Sequence, residues 1–125
     1  FIMKKFLMVL ATIILSVSIV GCSSSSKKYD SDINKVISYE NKGVDESKQI
    51  KRENVNIKVY ENVDVNAGAV QGKKTLYAIQ EKKGENYEFY FIRDTDGKVD
   101  EFGSGWNKRI SEIVSKPVYE EINIK

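Results

Sequence analysis

The sequence predicts an α+β domain in which an N-terminal helix packs on an antiparallel sheet of about four strands and a short C-terminal helix follows. Three observations support this fold class: helical spacing of apolar residues early in the chain, a later switch to alternation with a period of two, and short loops between successive apolar segments. Strands that follow one another through short loops pair antiparallel, and a flanking helix then covers the sheet.

The helical pattern covers residues 29–42. Asp30 or Ser31 can cap its start, and a short second helical piece is expected at 45–51. The apolar positions that share one face are Ile33, Val36 and Ile37. This stripe predicts that the helix packs on the sheet through one side.

The strand pattern begins at Val55. We predict strands over residues 55–65, 74–81, 87–93 and 98–102, a loop at 66–72 and a turn at 94–97. Trp106, Ile110 and Ile113 then recur at helical spacing and predict a short helix that stops before Pro117. The tail after Pro117 alternates again and is either an edge strand or frayed.

Composition argues against several functions. The chain of 125 residues has no histidine, and its only cysteine is Cys22. It therefore lacks the commonest general base and metal ligand and cannot form an internal disulfide. The net charge of +2 falls to zero if Lys4 and Lys5 are removed, so there is no electrostatic reason to expect a nucleic-acid partner. We expect no enzymatic activity, no cofactor and no metal.

The N-terminal residues have the charge and hydropathy pattern of a secretion signal. Lys4 and Lys5 precede an apolar run, residues 6–20, which is shorter than a bilayer-spanning helix. The run ends at Gly21-Cys22 and resembles the lipobox of bacterial lipoproteins. The resemblance implies cleavage between these two residues and attachment of a diacylglyceryl group to the Cys22 thiol, which is a stable anchor. An uncleaved signal anchor is the alternative.

This resemblance predicts the domain organisation and the location of the protein. We expect residues 1–21 to be the signal peptide, 22–28 to be the lipidated cysteine with a Ser/Lys tether, and 29–125 to be the folded domain. The mature protein would be held at the extracytoplasmic face of the cell membrane.

The lipobox, the short tether and two later segments together resemble the cystatin-like-fold lipoproteins of Gram-positive bacteria. The segments are Lys28-Tyr29-Asp30, which leads into Ile33-Asn34-Lys35-Val36-Ile37, and the run from Lys51 to Tyr60. The resemblance implies one helix laid across a curved antiparallel sheet. The molecular function of that family is unassigned, so the resemblance implies a fold and a location but no active site.

The 68–72 loop resembles the hairpin of pattern Gln-x-Val-x-Gly that cystatins insert into papain-like proteases. Val70 and Gly72 match the pattern, whereas Gly68 stands where the glutamine is expected. A possible inhibitory loop therefore consists of Ala69, Val70 and Gly72, and an ordinary hairpin is the alternative.

The aromatic residues of the predicted strands are too numerous for one face of a sheet. They either form core on both faces or leave an exposed apolar face that binds a partner. The candidate contact residues are Tyr77, Tyr87, Phe89, Tyr90, Phe91 and Trp106.

Together these patterns favour a membrane-tethered, non-enzymatic protein-interaction module of unknown molecular function. The alternatives are a cysteine-protease inhibitor, a small-ligand-binding lipoprotein, and an accessory component of a conjugation or secretion apparatus, the last by fold analogy alone.

Overall fold

The computed structural model describes residues 27–103 and 105–125, and Ser31–Lys125 form one compact unit. The predicted signal peptide, Gly21, Cys22 and the tether up to residue 26 lie outside the described residues. The elements in chain order are α1 (27–41), β1 (Asn56–Ala67), β2 (Val70–Gln80), β3 (Glu88–Ile92), β4 (Val99–Glu101), α2 (Asn107–Ile113) and β5 (Tyr119–Glu121). The predicted α+β fold class is confirmed.

Helix α1 buries Ile33 and Val36 of the predicted apolar stripe almost completely, whereas Ile37 is only half buried. The predicted cap at Asp30 or Ser31 is wrong, because residues 27–30 are already helical. Gly43 has a φ of 75°, a backbone conformation that glycine adopts at low cost where a helix ends.

The segment after α1 is held against the helix by one side chain. The Asn41 amide donates to the Ile50 carbonyl at 2.9 Å, and its oxygen accepts from the Ile50 N–H at 2.8 Å. The helical piece predicted at 45–51 is a single 3₁₀ turn, Glu46–Lys48, and a second 3₁₀ turn, Arg52–Asn54, follows just outside that range.

Among the described residues the sheet has five strands in the order β4-β3-β2-β1-β5, and all neighbouring pairs are antiparallel. The predicted loop at 66–72 is wrong: β1 and β2 remain paired up to Ala67 and Val70 and are joined by the two-residue turn Gly68-Ala69. Gly68 has a φ of 66°, which suits such a turn without steric cost.

Strand β1 is long and bent. The register with β2 shifts between Tyr60 and Val63, and Asn62 within this bulge has a φ of 57°. A bulge of this kind bends the strand and increases its twist.

The chain after Pro117 forms the fifth strand, β5. It pairs with Ile57–Val59 of β1, and the Val118 N–H donates to the Val59 carbonyl at 2.7 Å. Arg52 supports this edge through an ion pair with Glu121. The edge-strand alternative for the tail is therefore confirmed.

Both faces of the sheet are covered. Tyr77 and Tyr90 lie on the face that contacts α1, where the rings of Tyr39 and Tyr90 meet edge to face at 6.0 Å. The opposite face belongs to a cluster that α2 closes through Ile110. The buried members of that cluster are Tyr60, Val63, Val65, Ala67, Leu76, Ala78, Phe89, Phe91, Phe102 and Ile110.

Candidate functional site

The aromatic residues proposed for partner binding do not form one exposed surface. Tyr77, Phe89, Tyr90 and Phe91 are all at most 4% exposed. Successive residues of β3 point to opposite faces, and each face is covered by a helix. The exposed-face interpretation is therefore wrong for these four residues, which form core.

The two buried tyrosines on the α1 face connect the sheet to the helix through their hydroxyl groups. Tyr77 donates to Asp32 Oδ2 at 2.6 Å. The Tyr90 hydroxyl lies between Glu40 of α1 and Glu88 of β3, 2.8 Å from the latter. Burial, followed by hydrogen bonding to these two carboxylates, raises the pKa of Tyr90 far above its ordinary value, so the hydroxyl stays protonated.

An acidic cluster surrounds the Tyr90 hydroxyl. Carboxylate oxygens of Glu40, Glu81 and Glu88 lie within 4.8 Å of one another. Burial, then repulsion by Glu40 and Glu88, raises the pKa values of Glu81 and Glu101. Hard cations bind such oxygen sets, but the expectation that the protein needs no metal stays a prediction. The sequence offered no signal for this cluster, because its members come from separate elements.

Trp106 stands apart from the four buried aromatic residues because it is half exposed and lines a groove. The groove has a volume of about 450 Å³ and lies between α2 and the end of β1, from Asp64 to Ala67. The Arg109 guanidinium sits over the Trp106 ring, 5.0 Å from its centroid. Ile113 lies on the same side and is 54% exposed, which leaves a large apolar surface beside the indole.

The wall of this groove formed by β1 has an unpaired edge within the described residues. β5 pairs only with Ile57–Val59, whereas β2 pairs with β1 as far as Ala67. Alternate backbone groups between Val63 and Ala67 therefore face away from β2 and are not used in the sheet. An edge of this kind can pair with another extended chain.

Tyr87 is half buried at the border of the core cluster, and the Lys58 ammonium lies 4.8 Å from its ring centroid. The packing therefore gives Tyr87 a role in the edge of the core. It does not line the groove that contains Trp106.

The possible inhibitory loop is the tip of the β1–β2 hairpin. Ala69 and Gly72 are exposed, and Gly72 has a φ of 104°. Val70, the residue that would enter a protease cleft, is partly buried and packs against the core cluster.

No known protein family, curated protein or solved structure matches the chain. Within the described part of the chain, no helix combines the length and apolar character needed to cross a bilayer.

Proposed function

We propose that this protein is a lipid-anchored, extracytoplasmic and non-enzymatic interaction module that binds an extended segment of a partner protein. The anchor rests on the sequence of the first 22 residues, in which Lys4 and Lys5, an apolar run and Gly21-Cys22 follow in order. The absence of histidine and the use of the only cysteine for lipid support a non-enzymatic role.

The observation that carries the binding proposal is the groove between the unpaired edge of β1 and α2. A partner strand added beside Asp64–Ala67 gains main-chain hydrogen bonds from β1. Alternate side chains of that strand point toward Trp106 and Ile113, which provide apolar contact area. The proposal moves the contact surface from the sheet face, which is buried, to the sheet edge.

Site-specific crosslinking tests this arrangement. A photoreactive residue replaces Asn66, which is exposed beside the groove, and the full chain is expressed in its native host. We expect a crosslink to one defined segment of a partner, identified by mass spectrometry. The same photoreactive residue at Lys83, in the exposed β2–β3 loop, is the positional control.

Ile113→Asp is the matched perturbation. Burying the exposed half of an isoleucine contributes about 1 kcal/mol, so the substitution should weaken the crosslinked complex roughly fivefold or more. Ile122→Asp makes the same chemical change at a side chain that is 58% exposed and does not line the groove. Equal loss in both variants, or a crosslink that survives Ile113→Asp unchanged, would refute the groove as the binding site.

A second candidate function is inhibition of a papain-like protease by the hairpin tip. The exposure of Ala69 and Gly72 at the end of a two-stranded extension favours it. Under this alternative the full chain inhibits papain and Val70→Asp abolishes the inhibition. If the groove binds a partner instead, Val70→Asp leaves the Asn66 crosslink unchanged.

A further inference from the structure

A second groove, separate from the one beside Trp106, runs between α1 and the turn that joins β3 to β4. It is open, has a volume of about 1110 Å³ and follows α1 from Ser31 to Lys42. Its opposite wall contains Arg93 and Gly97–Val99. The cationic side chains that line it are Lys35, Lys42, Arg93 and Lys98, and no carboxylate from the described residues lines it.

The arginine in this groove is already engaged. Arg93 Nε and Nη2 donate to Asp96 at 3.0 and 2.7 Å, and Nη1 lies 3.5 Å from Asp100. An arginine guanidinium recognises a carboxylate through two parallel hydrogen bonds. The guanidinium of Arg93 already makes such bonds within its own turn.

The three lysines are available. Lys35, Lys42 and Lys98 are exposed, and none forms an ion pair within residues 27–103 and 105–125. The acidic cluster around Tyr90 does not contribute to the lining. Asp96 and Asp100 border the groove through their contacts with Arg93, so the positive charge that remains in its lining comes from the three lysines, which define the lysine groove.

Hydroxyl donors complement the lysines. Ser38 and Tyr39 lie on the α1 wall, and the edge-to-face contact with Tyr90 positions the Tyr39 ring. Burial, with smaller contributions from Glu101 and Asp100, raises the pKa of Tyr39. A phenol is already protonated at neutral pH, so the Tyr39 hydroxyl can donate a hydrogen bond to a ligand.

The length of the groove indicates the size of the ligand. Lys35 lies in α1 and Lys42 directly follows its last residue, so the helical rise separates the two positions by about 10 Å, and both line the groove. Two ammonium groups of like charge repel each other, so a ligand that carries several anionic groups along its length satisfies both better than one small anion does. Lysine ammonium groups act as point charges, which suit phosphate, and the arginine fork that would favour carboxylates is occupied.

We propose that this groove binds a linear polyanion of the inorganic polyphosphate type, in which separate phosphates along the chain contact Lys35, Lys42 and Lys98. Charge complementarity and the spacing of the lysines carry this assignment. It does not depend on the peptide groove beside Trp106, and the two sites share no lining residue.

Calorimetric titration of the purified full chain in non-ionic detergent tests the proposal, with medium-chain inorganic polyphosphate as the probe. An exposed charge contact contributes roughly a factor of three in affinity, so replacing all three lysines with glutamine should weaken binding about thirtyfold. The matched control replaces Lys83, Lys116 and Lys125 with glutamine, which removes the same charge from exposed positions outside the groove. We expect the control to bind nearly as well as the unmodified chain.

Several outcomes would overturn the proposal. The proposal is wrong if the chain does not bind polyphosphate, or if both triple variants lose the same binding affinity. It is also wrong if orthophosphate binds with the same affinity per phosphate as polyphosphate. Binding of polyglutamate or phosphatidylglycerol vesicles that equals or exceeds the binding of polyphosphate would overturn it as well. Unfolding midpoints in urea are measured for each variant. If the groove triple unfolds early, the three single variants replace it, and the absence of any loss among them also overturns the proposal.

Discussion

Asn56 is the buried polar side chain that attaches the C-terminal tail to the sheet, and its removal is the sharpest test of the fold. It is 7% exposed. Its oxygen accepts from the N–H groups of Asn123 and Ile124 at 2.7 and 2.9 Å, and its amide donates to Gln80 at 2.8 Å. Asn56→Ala removes these three hydrogen bonds at once.

The expected loss in the free energy of unfolding is about 2–3 kcal/mol, because each buried hydrogen bond contributes roughly 1 kcal/mol. Urea denaturation measures this change. Hydrogen exchange should also be faster at the amides of Asn123 and Ile124, since these lose their acceptor. Gln71→Ala is the control, because it removes one exposed hydrogen bond, to the Gly68 carbonyl, and should cost less than about 0.5 kcal/mol.

The reasoning is refuted if Asn56→Ala costs no more than the control. It is also refuted if the loss in stability leaves exchange at residues 123 and 124 unchanged. In that case the Asn123 amide, which donates to the carbonyls of Arg52 and Val55 at 3.1 Å, is sufficient to hold the tail.

Two further predictions concern the acidic cluster. The raised pKa values of Glu81 and Glu101 mean that the folded state binds more protons than the unfolded state, so the cluster's contribution to stability falls as pH rises above the ordinary carboxyl range. Glu101→Gln should therefore raise the thermal midpoint at neutral pH, by an amount that shrinks as pH is lowered; a gain independent of pH would contradict this. Calcium should produce no saturable shift in the thermal midpoint, because Glu40, Glu81 and Glu88 offer one converging oxygen each and two of these carboxylates already accept from Tyr90, whereas calcium takes six to eight oxygens. A saturable shift that Glu88→Gln removes would show that a metal site exists.

Local patterns were sufficient for the elements whose geometry depends on near neighbours. Ile33 and Val36 lie one helical turn apart, and their spacing alone predicted the buried face of α1. The turn at 94–97 was likewise predicted from Asp-Gly between two apolar segments, and the Gly97 N–H bonds back to the Arg93 carbonyl at 2.8 Å.

The hairpin between β1 and β2 is a region where the local sequence pattern predicted the wrong structure. Small residues from Asn66 to Gly72 suggested a loop, because they lack the alternation of apolar side chains. The strands nevertheless pair across this region, since backbone hydrogen bonds require no apolar side chain and Gly68 permits a two-residue turn.

The sequence by itself was enough to predict the fold class and the helix that covers the sheet, because both depend on spacing along a short stretch of chain. The lipid anchor at Cys22 is predicted from the sequence alone and stays a prediction. Only the tertiary structure decided that Phe89 and Tyr90 are both buried, since this depends on α1 and α2 covering opposite faces. The groove beside Trp106, the lysine groove and the acidic cluster also became visible only in the tertiary structure. Each joins side chains from distant segments, and register and packing, which no local pattern encodes, bring those segments together.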